Sequence, residues 1–236
     1  MISVCMATYN GERFIREQID SILPQLSTTD ELIISDDGST DSTIQIIISY
    51  NDKRIRLIAG PQEHSVVKNF EHVLRHAKGD IIFTVDQDDI WHPEKVVTCL
   101  SYLQTTDCVV SNCTIVDASL NPIYNSFYLL NHTRFGKWYN LLIHNGYLGC
   151  CMAFRRSVLN DVLPFPPNIP QHDIWIGNVA AFRHHLLFIQ DCLIDYRRHD
   201  ANNSSTSEKA NSTIYQKICY RINIIKGLLN KSVLIP

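Results

Sequence analysis

Three short polar clusters in the first 90 residues have side chains suited to chemistry: Thr8-Tyr9-Asn10, Asp36-Asp37-Gly38-Ser39 and Asp86-Gln87-Asp88-Asp89. The last is the most demanding, with three carboxylates in four residues directly behind the apolar run Ile81–Val85. Two unit charges ~4 Å apart repel by ~4 kcal/mol at an effective dielectric near 20, so such a cluster must be solvated, protonated or neutralised by a cation. Oxygen ligands favour Mg²⁺ or Mn²⁺, and such an ion, held by one or two carboxylates, completes its shell with water and phosphate oxygens. The plainer alternative is a solvated acidic turn, which loses weight once a second acidic cluster occurs at Asp36-Asp37. A carboxylate there would accept the imide N–H of uracil or thymine. Neutral cytosine offers only a lone pair at that position, and an unpaired acceptor costs about 1–3 kcal/mol. The alternative for this pair is an Asp-Gly turn capping the next helix. Tyr9 would stack on a base or ribose, or simply pack.

These clusters need a scaffold that brings them to one edge, and the first 110 residues supply the pattern for it. Short apolar runs alternate with helical periodicity, as βαβ units with a mostly parallel sheet do. Strands are predicted at Ile2–Ala7, Leu32–Ser35, Ile55–Ala59 and Ile81–Val85, the last apolar on both faces except for Thr84 and therefore central. Helices are predicted over Glu12–Leu26, with Ile15, Ile19, Ile22 and Leu26 on one face, over Thr43–Tyr50 with its cap among Ser39, Thr40 and Asp41, and over Val66–Ala77. A fourth runs from Pro93 to about Leu103. In open α/β sheets ligands sit outside the carboxyl ends of the strands, where all three clusters fall. Beyond the strand Cys108–Asn112 the periodicity is irregular. Arg134–Ile143 and Ile174–His184 read as helices, Cys150–Arg155, Leu186–Ile189 and Leu193–Arg197 as strands, Ala201–Ser212 as a polar loop, and Ile214–Leu229 as a closing helix.

Composition narrows the function classes. The chain has 236 residues, 45% hydrophobic and 19% charged, with a net charge of −3 that provides no general basic field for nucleic acid. No apolar run approaches the ~20 residues of a membrane span, and no secretory signal is visible. The eight cysteines are scattered without a CxxC spacing and read as buried, reduced thiols of a cytoplasmic protein. In that setting the six N-x-S/T triplets are chance matches. GxGxxG, GxxxxGK[ST], GxSxG and HExxH are all missing. With no Gly-rich phosphate cradle, a metal is the natural diphosphate partner.

Ala7-Thr8-Tyr9-Asn10-Gly11, Ser35-Asp36-Asp37-Gly38-Ser39-Thr40-Asp41 and Val85-Asp86-Gln87-Asp88-Asp89-Ile90-Trp91, in this order and spacing, resemble the family 2 nucleotide-sugar glycosyltransferases. The Asp-Gln-Asp-Asp-Ile-Trp form is similar to the branch containing rhamnosyltransferases of bacterial surface polysaccharides. Weaker likeness continues through Gly149–Phe154, His172-Asp173-Ile174-Trp175 and Tyr196-Arg197-Arg198-His199, so it covers residues 1–200. The resemblance implies a GT-A-type, Rossmann-like α/β fold with a mixed, mostly parallel sheet flanked by helices. It implies that Thr8, Tyr9 and Asp37 border the nucleoside, with Asn10 and Asp36 in the same loops. Asp86 would lie near the ribose, with Asp88 and Asp89 holding Mn²⁺ or Mg²⁺ on the diphosphate and His199 approaching from the far side. Asp173 takes the place of the inverting general base, although His172 stands where many members carry Glu. Arg197 and Arg198 are placed to meet the diphosphate bidentately.

The expected organisation is one catalytic domain over 1–200, with a nucleotide-sugar half (1–110) and an acceptor half (111–200), followed by a polar loop and amphipathic helix over 201–236. The expected activity is metal-dependent, inverting transfer of a hexose or deoxyhexose, rhamnose included, from a UDP- or dTDP-sugar. The acceptor would be a lipid-pyrophosphate-linked saccharide of O-antigen or capsule synthesis. Lys217, Arg221, Lys226 and Lys231 beside Ile218, Ile222, Ile225 and Leu229 fit peripheral contact with the cytoplasmic face of the inner membrane, or packing against the domain. A nucleotidyltransferase, the nearest rival, would need a Gly-rich cationic loop after the first strand, which Thr8-Tyr9-Asn10-Gly11 does not provide. A non-catalytic saccharide- or nucleotide-binding module has no need of the Asp86–Asp89 cluster.

Overall fold

The structure is a computed structural model that describes residues 1–199 and 213–232; the loop expected over 201–212 lies outside them. Four parallel strands, β1 (Ile2–Thr8), β2 (Glu31–Asp36), β3 (Ile55–Ala59) and β4 (Ile81–Val85), form one side of a nine-stranded sheet. The other side holds β5 (Ile90–Trp91), β6 (Cys108–Val116), β7 (Pro122–Tyr124), β8 (Met152–Arg155) and β9 (Leu186–Arg197). The order is β3-β2-β1-β4-β8-β6-β9-β5, with β7 on β6. β8 runs antiparallel to both β4 and β6, and β6 is parallel to β9, so most strands share a direction. β4 is central, as expected.

The helices in chain order are α1 (Ile15–Ile22), α2 (Thr43–Ser49), α3 (Val66–His76), α4 (Lys95–Tyr102), α5 (Phe127–Leu130), α6 (Lys137–Leu142), α7 (Arg156–Val162), α8 (His172–Arg183) and α9 (Ile214–Ser232). Ile15, Ile19, Ile22 and Leu26 are all buried, as the spacing requires, although Pro24 tightens the end of α1 into a 3₁₀ turn. α2 is capped at Ser42, one residue beyond the expected positions, with Asp41 Oδ1 accepting from the Thr43 N–H at 3.0 Å. α6 is shorter than predicted and α8 starts two residues earlier. The two short strands expected after Leu186 are one continuous β9, with register shifts against β6. β5, β7, α5 and α7 carry no periodicity long enough to announce them. All eight cysteines are free. No helix among the described residues is long and apolar enough to cross a membrane.

The connectivity matters more than the count. β5 begins immediately after Asp89 yet pairs with β9 at the far edge of the sheet. The acidic turn is therefore a bridge between the two sides. A polar row on the α1 segment braces it: Gln18 Nε2 donates to Asp86 O at 2.9 Å, Ser21 Oγ accepts from Trp91 N at 3.0 Å, and Gln25 Nε2 donates to His92 O at 3.0 Å. Residues 18, 21 and 25 share a helical stripe, so one element holds the whole bridge.

Candidate active site

The ends of β1, β2 and β4 come together as the sequence predicts. Thr8 Oγ1 donates to Gln87 Oε1 at 2.5 Å, the Tyr9 N–H donates to the same oxygen at 3.0 Å, and Gln87 Nε2 donates to Tyr9 O at 3.1 Å. Gln87 thus staples the first loop to the acidic turn. A Cβ at Gly11 would come within 2.5 Å of Gln87 Oε1, so the staple also explains that glycine. Asn10, at φ 48°, donates its N–H to Ser39 Oγ at 2.8 Å and accepts from Thr40 N at 2.9 Å. Tyr9 is exposed, its ring 4.7 Å from that of His64.

Asp36 uses its carboxylate within its own turn, accepting from Gly38 N at 3.1 Å, Ser39 N at 2.8 Å and Ser39 Oγ at 2.5 Å. It shapes the loop on which Asp37 sits. Asp37 accepts from Glu63 N at 3.2 Å and Ser65 N at 3.0 Å, which leaves carboxylate lone pairs for a further donor.

The Asp86–Asp89 turn is of a different kind. Asp88 Oδ2 lies 2.8 Å from His199 Nε2, so residues 111 positions apart meet at the acidic turn. Asp89 is fully buried; its Oδ1 accepts from Arg197 N at 3.0 Å, while Oδ2 has no hydrogen-bond partner. Ligand atoms of Asp86, Asp89 and Cys150 lie within 4.8 Å of one another, a grouping that reasoning from motifs did not include. Burial, reinforced by Asp88 and Asp173, pushes the Asp86 carboxyl up to about 8. Asp89 is raised well above the carboxylate range by burial and then by Asp88 and Asp86. Crowded, desolvated acids with an orphaned oxygen fit a hard divalent cation, whose charge reverses that penalty.

Asp173 lies in the first turn of α8, where its Oδ1 accepts from Ile174 N at 2.7 Å. Burial raises it to about 7 against the opposing backbone hydrogen bonds. Its neighbour His172 stacks on Phe70 at 3.6 Å and is held by burial near 3, so it is neutral at physiological pH. Gly149 fits tightly between them: its carbonyl accepts from Thr84 Oγ1 at 2.6 Å, and a Cβ there would collide with His172 Nε2.

The two arginines part company. Arg197, expected on a diphosphate, is 2% exposed and committed elsewhere: it donates to Glu17 Oε2 at 2.5 Å and Ala118 O at 3.2 Å, over the Phe14 ring at 4.5 Å. A buried guanidinium needs such partners, and Glu17 of α1 and the Ala118 carbonyl supply them. Arg198 has no such tie, and its Nε is shielded without a hydrogen-bond partner. Phe14 also underlies the His199 ring, at 4.6 Å. Its role depends on the placement of α1, which no motif announces.

Comparison with known proteins bears on the family and the fold. Residues 3–163 match the family described as "Glycosyl transferase family 2". The chain is 26% identical over 174 residues to the Escherichia coli UDP-Glc:alpha-D-GlcNAc-diphosphoundecaprenol beta-1,3-glucosyltransferase WfgD, covering 70% of this chain and 64% of that protein. It is 27% identical over 215 residues to the Shigella flexneri dTDP-rhamnosyl transferase RfbG, covering 84% and 72% respectively. The chain thus spans less than two thirds of the length of WfgD. The crystal structure of S. aureus TarS residues 1–349 in complex with UDP-GlcNAc superposes with a TM-score of 0.70 at 18% identity, over 98% of this chain and 72% of that one. The fold is therefore the GT-A type that the sequence motifs lead one to expect.

Proposed function

This chain belongs to glycosyl transferase family 2, and we propose that it transfers a hexose or deoxyhexose from a UDP- or dTDP-sugar, with inversion at the anomeric carbon. The acceptor is a lipid-diphosphate-linked saccharide of bacterial surface-polysaccharide synthesis. The two relatives named for UDP-glucose and dTDP-rhamnose support this donor range. Residues 1–110 carry the donor and residues 111–200 the acceptor, with 201–236 as an appended segment.

The observation that carries this reading is the meeting of Asp88 with His199 in a turn whose Asp86 also feels the charge of a raised, partly covered Asp173. Thr8, Tyr9, Asn10 and Asp37 border the nucleoside, with Asp37 offering an acceptor to an imide N–H and Asp86 near the ribose. Asp88 and His199 would hold Mn²⁺ or Mg²⁺, with Asp89 offering its unpaired Oδ2. The bound ion supplies Lewis-acid stabilisation of the diphosphate as its charge develops. Arg198 adds a fixed cation, and Arg197 acts at one remove, by fixing Asp89 through its backbone. Asp173 accepts the proton of the acceptor hydroxyl while that oxygen forms its bond to the anomeric carbon. The bond from that carbon to the diphosphate oxygen breaks, and its electron pair leaves with the nucleoside diphosphate. A base near 7 is matched to this task at neutral pH.

Incubation with a panel of UDP- and dTDP-sugars, Mn²⁺ and a lipid-diphosphate saccharide tests the reading by release of nucleoside diphosphate. Transfer that EDTA abolishes and Mn²⁺ restores is expected. Saccharide binding without donor turnover, or turnover indifferent to chelator, would overturn it.

A further inference from the structure

The reaction uses the cleft and leaves the outer surface of the second half unexplained. There, large apolar side chains are turned to solvent: Trp138, Leu142 and Ile143 in and after α6, and Tyr215, Ile218 and Ile222 on α9, are 43% to 76% exposed. They form one surface. Arg221 of α9 donates to Ile143 O at 2.8 Å, and both helices pack on α8: Trp138 meets the Phe182 ring edge-on at 4.8 Å, and Arg183 donates to Leu228 O at 2.6 Å. The opposite side of α9 is already satisfied, with Ile224 buried and Gly227 against Trp175 and Pro166. The exposed apolar stripe is therefore not the one that holds the helix to the domain.

Charge identifies what would cover this face. The chain as a whole is acidic, at −3, yet no Asp or Glu occurs between Asp117 and Asp161 or anywhere after Glu208. Arg134, Lys137, Lys217 and Lys226 border the apolar residues and are exposed. Trp and Tyr among aliphatic side chains, with cations only at the margin, match a lipid–water boundary carrying anionic headgroups. We infer that α6 and α9 together form a docking face that seats the second half of the molecule on an anionic lipid bilayer. This deepens the lipid-linked acceptor reading and rests on it for its purpose, though not for the contact itself. α8 connects the two sites: Asp173 lies in its first turn and Phe182 nine residues on, about 14 Å at 1.5 Å per residue. A seated face would hold Asp173 roughly one diphosphate-sugar above the headgroups.

Trp138 is also the natural reporter, because Trp91 and Trp175 are buried. The full chain is mixed with vesicles of phosphatidylcholine alone or with phosphatidylglycerol added. The expected result is flotation and a blue shift of tryptophan emission with the anionic vesicles. Binding should be at least tenfold weaker to neutral vesicles, and weaker in high salt. Trp138→Phe should abolish the spectral shift while flotation persists, and Lys137→Glu with Lys226→Glu should weaken flotation severalfold without changing transfer to a soluble acceptor. Absence of flotation, equal affinity for neutral vesicles, or a concentration-dependent dimer that shields Trp138 in place of vesicle binding would each overturn the inference. Vesicle binding without sugar transfer would instead count against the proposed reaction alone.

Discussion

Two acidic turns follow β2 and β4, the strands that flank β1 in one sheet, and they are opposites. In the turn after β2, Asp36 meets three donors and Asp37 two, all within the protein. Asp41, at the end of the same motif, is held below its usual value: burial would raise it, but the Thr43 hydroxyl and N–H outweigh that. In the turn after β4, Asp86 is raised by burial and then by Asp88 and Asp173, Asp89 by burial and then by Asp88 and Asp86, and an oxygen of Asp89 goes unpaired. The first turn commits Asp36 to folding and leaves Asp37 lone pairs for a further donor. The second stores unfavourable charge that a ligand must relieve. Residue type alone does not separate them; the supply of local N–H donors does.

That contrast makes its strongest test at Asp88. Asp88→Asn should lower kcat/KM by roughly 10³-fold or more, the scale of losing several kcal/mol of charge stabilisation, and should not lower the melting temperature. If the variant unfolds earlier and its folded fraction remains active, the second turn is structural after all. Asp173→Asn comes next, with a fall in kcat of about 10²–10⁴-fold and donor affinity unchanged by calorimetry. In the wild type, the acid limb of the kcat profile should fall near pH 7, because the base must be ionised to accept a proton. Activity of the variant equal to wild type would remove Asp173 from the mechanism.

The reverse pattern is expected in the first turn. Asp36→Ala leaves the Gly38 and Ser39 N–H groups and the Ser39 hydroxyl without their acceptor, and should cost about 1–3 kcal/mol of stability by urea unfolding. The folded fraction should keep most of its turnover. A large loss of turnover without loss of stability would mean that Asp36 touches the donor directly.

The two turns were equally visible in sequence, since an acidic cluster behind an apolar strand needs only the parallel-sheet rule to reach the ligand edge. Their difference was not, because it depends on which N–H groups the tertiary fold brings near. The same limit hid Gln87, whose two loop contacts join residues 78 and 79 positions apart, and it misassigned Arg197, whose guanidinium is claimed by Glu17 and Phe14 on a distant segment. In the fold, the first half was legible because each strand is an apolar run flanked by a one-sided helix. The second half was harder. Gln190 and Asp191 interrupt the apolar pattern of β9 without ending the strand, and the 3₁₀ turn at Gly149–Cys151 takes the start of the strand expected at Cys150–Arg155.

The smallest effect is the most direct measure of the contrast, because it needs no mutation. Asp86 and Asp173 have folded-state values of about 8 and about 7, above the ordinary carboxylate value of 3.8. Between that value and 7 to 8 the folded chain holds protons that the unfolded chain has released. Stability must therefore fall as pH rises across this window. Asp41 and His172 work in the other direction, but the window of Asp41 lies at or below 3.8 and that of His172 between about 3 and 6.5, so neither overlaps the stretch above pH 6.5. The melting temperature should thus decline by a few degrees between pH 6.5 and pH 8. Mn²⁺ held by Asp88 and His199 would lie beside Asp86 and favour its ionised form, so it should recover part of the loss at pH 8 and do less at pH 6.5. A melting temperature that rises over the same interval, or one that Mn²⁺ shifts equally at both ends, would mean that the second turn is as well compensated as the first.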